Sequence, residues 1–190
     1  SLPPAEGQEP EVIISLRAGV SGVAATHQGL GLALLDGSAQ WIGPEGAVEL
    51  APAGSIRPAV AAVGELLVLA DADSGIHVRH PSESIAGHVA LEAGTLSALT
   101  SSADGRWLVG GTTDGDIAIW DVQHGFASPI RIVAHESRVT DIAFSHDGRL
   151  FATASLDNTV RLWQVDDPVD PIVLDHGAWV WGVAFRPDGA

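Results

Sequence analysis

The chain contains no cysteine. This excludes a disulfide framework and a thiolate nucleophile, and leaves the redox compartment open. Lysine is missing too, and all 9 residues of the Lys+Arg count are arginine. That usage fits a GC-rich genome and carries the expectation of a bacterial source. Charged residues make up only 17% of the chain, below the usual quarter. Positive charge is scarce: the formal net charge is -15. Such a surface repels phosphate backbones and offers no basic groove, so nucleic acid is not an expected partner. No run of eighteen apolar residues occurs, so no membrane-spanning helix is expected.

What is present suits a folded domain. With 190 residues, 46% of them hydrophobic, the chain is long enough for a core and too apolar for disorder. The 22 glycines and 11 prolines are spread along it, as expected for many short strands joined by tight turns. Ser1 to Glu11 is rich in Pro, Glu and Gly and lacks the pattern of a signal peptide. Residues 1–10 read as a flexible lead-in, the missing initiator Met as the sign of a piece of a longer chain, and the compartment as cytoplasmic.

A repeat runs through the sequence. Asp104-Gly105, Asp147-Gly148 and Asp188-Gly189 stand 43 and 41 residues apart. Each closes an apolar alternation, and Asp-Gly after a β-run is a hairpin signal because both residues tolerate positive φ. Asp73, Asp114 and Asp157 form a second series, 41 and 43 apart. Runs of β-formers follow them, Ile76 to Val78, Ile117 to Trp120 and Val160 to Trp163, with Trp120 and Trp163 in one phase. Trp41 joins that phase if its turn is one residue shorter, and Arg79 takes the place in the second unit. The spacing predicts an all-β fold of four antiparallel four-stranded units over about 20–51, 56–92, 94–134 and 136–175. Lone strands flank them at 11–16 and 179–185.

One four-stranded sheet has two apolar faces and buries neither alone. Neighbours stacked around an axis cover both. An open β-sandwich uses similar strands but requires no shared turn dipeptide and Trp phase at one period. No helical periodicity long enough for a crossover appears, which argues against a parallel α/β fold.

The segment HESRVTDIAFSHDGRLFATASLDNTVRLWQV, His135 to Val165, resembles a WD40 repeat. So does GTLSALTSSADGRWLVGGTTDGDIAIWDV, Gly94 to Val122, with its Trp120-Asp121 pair, and His176 to Gly189 resembles the opening of a further one. The resemblance implies a β-propeller of about four full blades plus partial ones. It departs at Gln164, which follows Trp163, at Ala134 and Asp175 before the two histidines, and at Glu92 in the His phase. It also implies a structural tetrad at His135, Ser155, Asp157 and Trp163: Asp accepts from the His ring, His bonds the hydroxyl, and the hydroxyl accepts the indole N–H. Thr112, Asp114 and Trp120 stand at the matching places one unit earlier.

Catalysis and metal binding are weighed on the same residues. Ser155, His135 and Asp157 contain the types of a hydrolytic triad, but they align with the structural network and no Gly-x-Ser-x-Gly elbow is present. His77 and His80 stand three apart with no second pair at metal-site spacing. Asp71, Asp73, Asp114 and Asp116 lie in turns without an EF-type loop. No enzyme activity, metal or cofactor is expected. Trp179 and Trp181 flank Val180 and serve either core packing or partner contact, with Arg138 as a further contact residue.

Units of about 41 residues do not divide the chain evenly. Three expectations follow: a part of a longer propeller, a chain that pairs with a copy or partner to complete a ring, or a closed four-unit body. The function expected is a protein-interaction scaffold or sensor module, such as the propeller part of a larger bacterial signalling ATPase or kinase. The partner would be a protein or a second copy. The alternative is a small-ligand-binding or hydrolytic propeller that uses its central channel.

Overall fold

The computed structural model describes residues 18, 20–26, 28–44, 46–51, 59–64, 66–70, 75–79, 86–90, 94–126 and 128–186. The expected lone strand at 11–16, the lead-in at 1–10 and the Asp188-Gly189 turn lie outside them.

Turn chemistry sets the strand boundaries. Gly105 and Gly148 both adopt φ 68° in the turns between the first and second strands of their units, the left-handed region where glycine carries no Cβ penalty. In the next turn Gly115 has φ 98° and its counterpart 43 residues on, Asn158, has φ 73°. Asn tolerates that conformation better than other non-glycine residues.

Sixteen strands form four separate antiparallel sheets among the described residues. The first blade is β1 (Val20–Thr26), β2 (Gly29–Leu34), β3 (Ala39–Gly43) and β4 (Gly46–Ala51). The second is β5 (Val60–Val63), β6 (Leu66–Ala70), β7 (Gly75–Arg79) and β8 (Ala86–Ala90). The third is β9 (Leu96–Ser101), β10 (Trp107–Thr112), β11 (Asp116–Asp121) and β12 (Ile130–Val133). The fourth is β13 (Val139–Phe144), β14 (Leu150–Ser155), β15 (Thr159–Gln164) and β16 (Ile172–Asp175). Strands pair in chain order within every blade. The fold class read from the sequence is that of the molecule.

Burial follows position within the blade. In β10 and β14 every residue after the first is buried, whereas all of β16 is exposed. A second strand lies between neighbouring blades and is covered on both faces, so it reads as a nearly continuous apolar run rather than an alternation. Leu108 joins the cluster shared with the second blade, containing Val68, Ile76 and Trp120. Val109, the next residue, joins the cluster shared with the fourth, containing Phe151 and Trp163. Both are fully buried. A third cluster joins the first two blades through Ala33, Trp41, Leu67 and Leu69.

Contacts between innermost strands run from β1 to β5, β5 to β9 and β9 to β13, with no comparable return from β13 to β1. This argues against the closed four-unit body. Two further expectations are corrected. Residues 179–185 form no strand and pair with none among the described residues. They are held instead by isolated bonds, Val180 N–H to Ser155 O at 3.1 Å and Thr140 Oγ1–H to Val180 O at 2.6 Å. Trp41 is also out of phase. Ala33 pairs with Ala39 and Gly111 with Ile117, so the two turns have equal length and Trp41 matches Ile119. It therefore belongs to the cluster with the following blade, whereas Trp120 and Trp163 pack against the preceding one.

Gly111 sets how closely the third and fourth blades approach: a Cβ there would lie 2.6 Å from Val139 Cβ. Gly111→Ala is expected to destabilise the chain by about 1–3 kcal/mol, read as a lower urea midpoint. An unchanged midpoint would show that Val139 does not fill that space.

Candidate functional site

The fourth blade carries a buried polar chain. Trp163 sits on β15 opposite Phe151, and their rings stack with centroids 5.9 Å apart. From there its Nε1–H reaches Thr153 Oγ1 at 3.0 Å. Thr153 Oγ1 is 2.7 Å from His135 Nε2, and His135 Nδ1 is 2.8 Å from Asp157 Oδ2. The directions follow from chemistry. The indole donates only, so the threonine hydroxyl accepts from it and gives its own hydrogen to Nε2. Nε2 is then unprotonated, and the neutral imidazole carries its hydrogen on Nδ1, facing the carboxylate. Asp157 also accepts Thr159 Oγ1–H at 2.7 Å, Thr159 N–H at 2.9 Å and Glu136 N–H at 3.2 Å.

Thr153, not Ser155, is therefore the hydroxyl of this chain. Ser155 lies on the same face of β14, two residues nearer the turn. Its Oγ–H goes to Ser137 O at 3.0 Å, and it accepts Asp157 N–H at 3.1 Å. A side chain leaning along a strand reaches the diagonal neighbour two residues away. For Trp163, opposite Phe151, that neighbour is Thr153. The same bonds oppose the hydrolytic reading, because the Ser155 hydroxyl is committed to a backbone carbonyl and makes no bond to His135.

Electrostatics agree with a neutral, structural histidine. Burial lowers the His135 pKa from its ordinary 6.5, the bond to Asp157 and its charge oppose this, and the Arg161 charge adds to the lowering. Burial alone would raise Asp157, but the hydrogen bonds from Thr159, His135 and Glu136 outweigh it and lower its pKa to about 2.

The third blade lacks this chain. Gly110 stands 43 residues before Thr153 and supplies no hydroxyl. A Cβ there would lie 2.6 Å from Leu96 Cδ2. Trp120 is fully buried, but its Nε1–H has no partner among the described residues. Thr112 Oγ1 accepts Asp116 N–H at 3.0 Å, a bond within the turn. Asp114 is exposed and accepts Thr113 Oγ1–H at 3.2 Å. Thr112, Asp114 and Trp120 thus form no joint network, and Glu92 lies outside the described residues.

The inner strands line a cleft of about 450 Å³. Arg138, just before β13, and Asp141 of β13 border it, with Ser97 and Leu99 of β9, Val60 of β5 and Val23 of β1. Ser97 Oγ–H reaches Val139 O of the next blade at 2.6 Å, and Thr140, 43 residues on, makes the same type of bond to Val180 O. These inter-blade bonds were not foreseen, although hydroxyls recurring at one phase were the signal. Trp179 and Trp181 stay 63% and 66% exposed, edge to face at 6.2 Å and 81°. They do not enter the core.

His77 lies opposite His88 in the β7–β8 register, and His80, Asp71 and Asp73 lie outside the described residues. No group of three or more His, Cys, Asp or Glu side chains able to hold a metal converges among the described residues. No catalytic metal-based or cysteine-based site is found among them.

Two outcomes are expected of the polar chain. Thr153→Val leaves two buried partners unpaired and is expected to cost about 2–4 kcal/mol in urea unfolding, against roughly 0.5–1.5 kcal/mol for Ser155→Ala. Equal costs would contradict the assignment. Because the folded His135 pKa lies below its unfolded 6.5, the unfolded chain binds the extra proton first. Stability is then full above that value and falls as pH drops below it. Asp157 adds a second loss as pH falls from 3.8 to about 2. Chemical unfolding across this range reads both, and a His135→Asn variant is expected to lose the first.

Residues 79–121 and 127–164 match the family of the WD domain, G-beta repeat. The chain is 34% identical over 91 residues to Denticleless protein homolog B of Xenopus laevis, covering 45% of this chain and 13% of that protein. It is 36% identical over 86 residues to human WD repeat and SOCS box-containing protein 1, covering 44% and 20%. It is 32% identical over 127 residues to Protein HIR1 of Candida albicans, covering 58% and 14%. The chain thus spans a fifth or less of these relatives. They are eukaryotic and lend no support to a bacterial source. A chain of the solved structure titled Crystal Structure of Mitotic Checkpoint Complex superposes with a TM-score of 0.71 at 18% identity, over 89% of this chain and 57% of that one. This likeness speaks for the fold alone. Repeat spacing, blade topology and the matched repeats agree: the chain has a β-propeller fold and carries WD repeats over residues 79–121 and 127–164.

Proposed function

We propose that this chain is a protein–protein interaction scaffold or sensor module, cytoplasmic, within a larger signalling protein. The observation that carries the reading is the exposed pair of Trp179 and Trp181 on a segment held beside β13, the strand that Arg138 of the cleft directly precedes. Tryptophan and arginine are the residue types that dominate binding energy at protein interfaces. A rigid disc of blades holds such groups in place at little entropic cost on binding. The eukaryotic relatives support a multidomain setting, because the matched part is a small share of each.

A second reading concerns self-association. Ile172, Val173 and Leu174 of β16 are each more than half exposed, and so is Val23 of β1. Exposed apolar faces of this kind favour contact with a partner or a second copy.

Affinity capture with the intact chain is expected to recover a protein partner, and Trp179→Ala with Trp181→Ala to weaken capture roughly thirtyfold, the effect of about 2 kcal/mol at an interface hot spot. Both indoles are exposed, so the thermal midpoint stays unchanged. Unaltered capture by the double variant would remove this surface from the reading. Light scattering is expected to give a mass above the 19.6 kDa of one chain if copies associate. A monodisperse particle of that mass would oppose self-association.

A further inference from the structure

The polar groups of the inner cleft are nearly all engaged. Ser97 and Thr140 give their hydroxyl hydrogens to carbonyls of the next unit, each at 2.6 Å. Asp141 accepts Ile142 N–H on Oδ1 and Val183 N–H on Oδ2, both at 2.9 Å. Arg138 and exposed Ser21 are the exceptions. Arg138 borders the same cleft, and its guanidinium has no hydrogen bond or ion pair among the described residues. The chain holds 24 acidic residues against 9 arginines, so carboxylates are not scarce. Asp141, three residues further on in β13, is turned to the Val183 amide instead. Arg106, outside the cleft, shows the ordinary arrangement, with Asp121 at 3.3 Å.

The position is peculiar to the fourth blade. Arg138 O accepts Leu156 N–H at 3.1 Å, Thr95 O accepts Thr113 N–H at 2.8 Å, and Ala59 O accepts Ala70 N–H at 2.8 Å. The residues just before three successive inner strands are therefore Ala59, Thr95 and Arg138, and a single one of them is charged. The walls nearby are small and apolar, with Ala59, Val60 and Ala98.

We infer that this cleft is an anion subsite, in which Arg138 receives the carboxylate or phosphate oxygens of a peptide side chain while the apolar walls take the flanking residues. Guanidinium forms charge-assisted, bidentate bonds to such groups. The peptide as occupant rests on the scaffold reading, whereas the anion preference rests on the cleft. With a net charge of -15 on the chain, attraction has to be local, and a simple anion gathers at Arg138 rather than over the surface.

The test follows the side-chain Nε–H resonance of each arginine in the intact chain during titration. The probes are acetyl-Ala-Glu-Ala-amide, its Gln counterpart and the matching phosphoserine peptide. Saturable movement of Arg138 with the glutamate or the phosphoserine peptide is expected, and which of the two acts identifies the source of the anion. The Gln peptide is expected to move nothing, and exposed Arg131 to stay still with all three. Arg138→Gln keeps the carbonyl that accepts Leu156 N–H and is expected to abolish saturation, while Arg138→Lys retains part of it. No movement with either anion, equal movement of Arg131, or equal binding of the Gln peptide would overturn the inference. Partner capture that survives Arg138→Gln alongside failed titrations would remove the anion subsite and leave the scaffold. Saturable anion binding without a captured partner would do the reverse.

Discussion

The mutual covering of sheet faces between neighbouring blades governs this structure. A blade is four short strands, and its strand-to-strand backbone ladders close within itself. That closure leaves two apolar faces to be kept from water. Leu108 and Val109 show the requirement at one pair of residues: adjacent in sequence, both fully buried, they serve opposite neighbours. Burial of a side chain of this size contributes on the order of 1.5–3 kcal/mol, which depends wholly on the adjoining blade being present. Ser97 and Thr140 add directional bonds across the same boundaries near the axis.

Blades meet this requirement in different ways. The fourth uses Thr153 to join His135 and Trp163 in a satisfied chain that fixes the loop before β13 to β14 and β15. The third places Gly110 there, beside Leu96, and leaves the Trp120 N–H without a partner among the described residues. An unpaired buried donor costs roughly 1–3 kcal/mol, and the indole sits within the apolar cluster of Leu96, Leu108 and Ala118. Trp41 in the first blade serves the opposite face. Equivalent tryptophans in a repeat need not do equivalent work, and the polar chain is a property of one blade.

The repeat was legible because turns impose themselves locally. Asp-Gly at a fixed spacing requires only that a backbone reverse, and Gly105 and Gly148 lie in the turns between the first and second strands of the third and fourth blades. The hydroxyl of the network was not legible by phase. Thr153 and Ser155 share a face, and choosing between them needs the cross-strand register that puts Trp163 opposite Phe151. Trp41 failed for the same kind of reason: one residue in register moves a side chain to the other face. At 179–185 the apolar pattern of a first strand is present, but a strand exists only where a neighbour completes its ladder, and none does among the described residues.

Arg138, Trp179 and Trp181 were read as contact residues from type alone; Arg138 directly precedes β13, and the two tryptophans lie on the segment bonded to Thr140 and Asp141 of that strand. Their use depends on a rigid disc, and hence on blade-to-blade covering. Native-state hydrogen exchange on the intact chain tests that dependence most directly. If covering by neighbours holds the fold, amides of β10 and β11, in a blade flanked on both faces, exchange slowest, and protection declines through β15 to β16 and through β2 to β1. Equal protection of matching strands in all four blades would mean that each sheet holds itself, and would contradict the account.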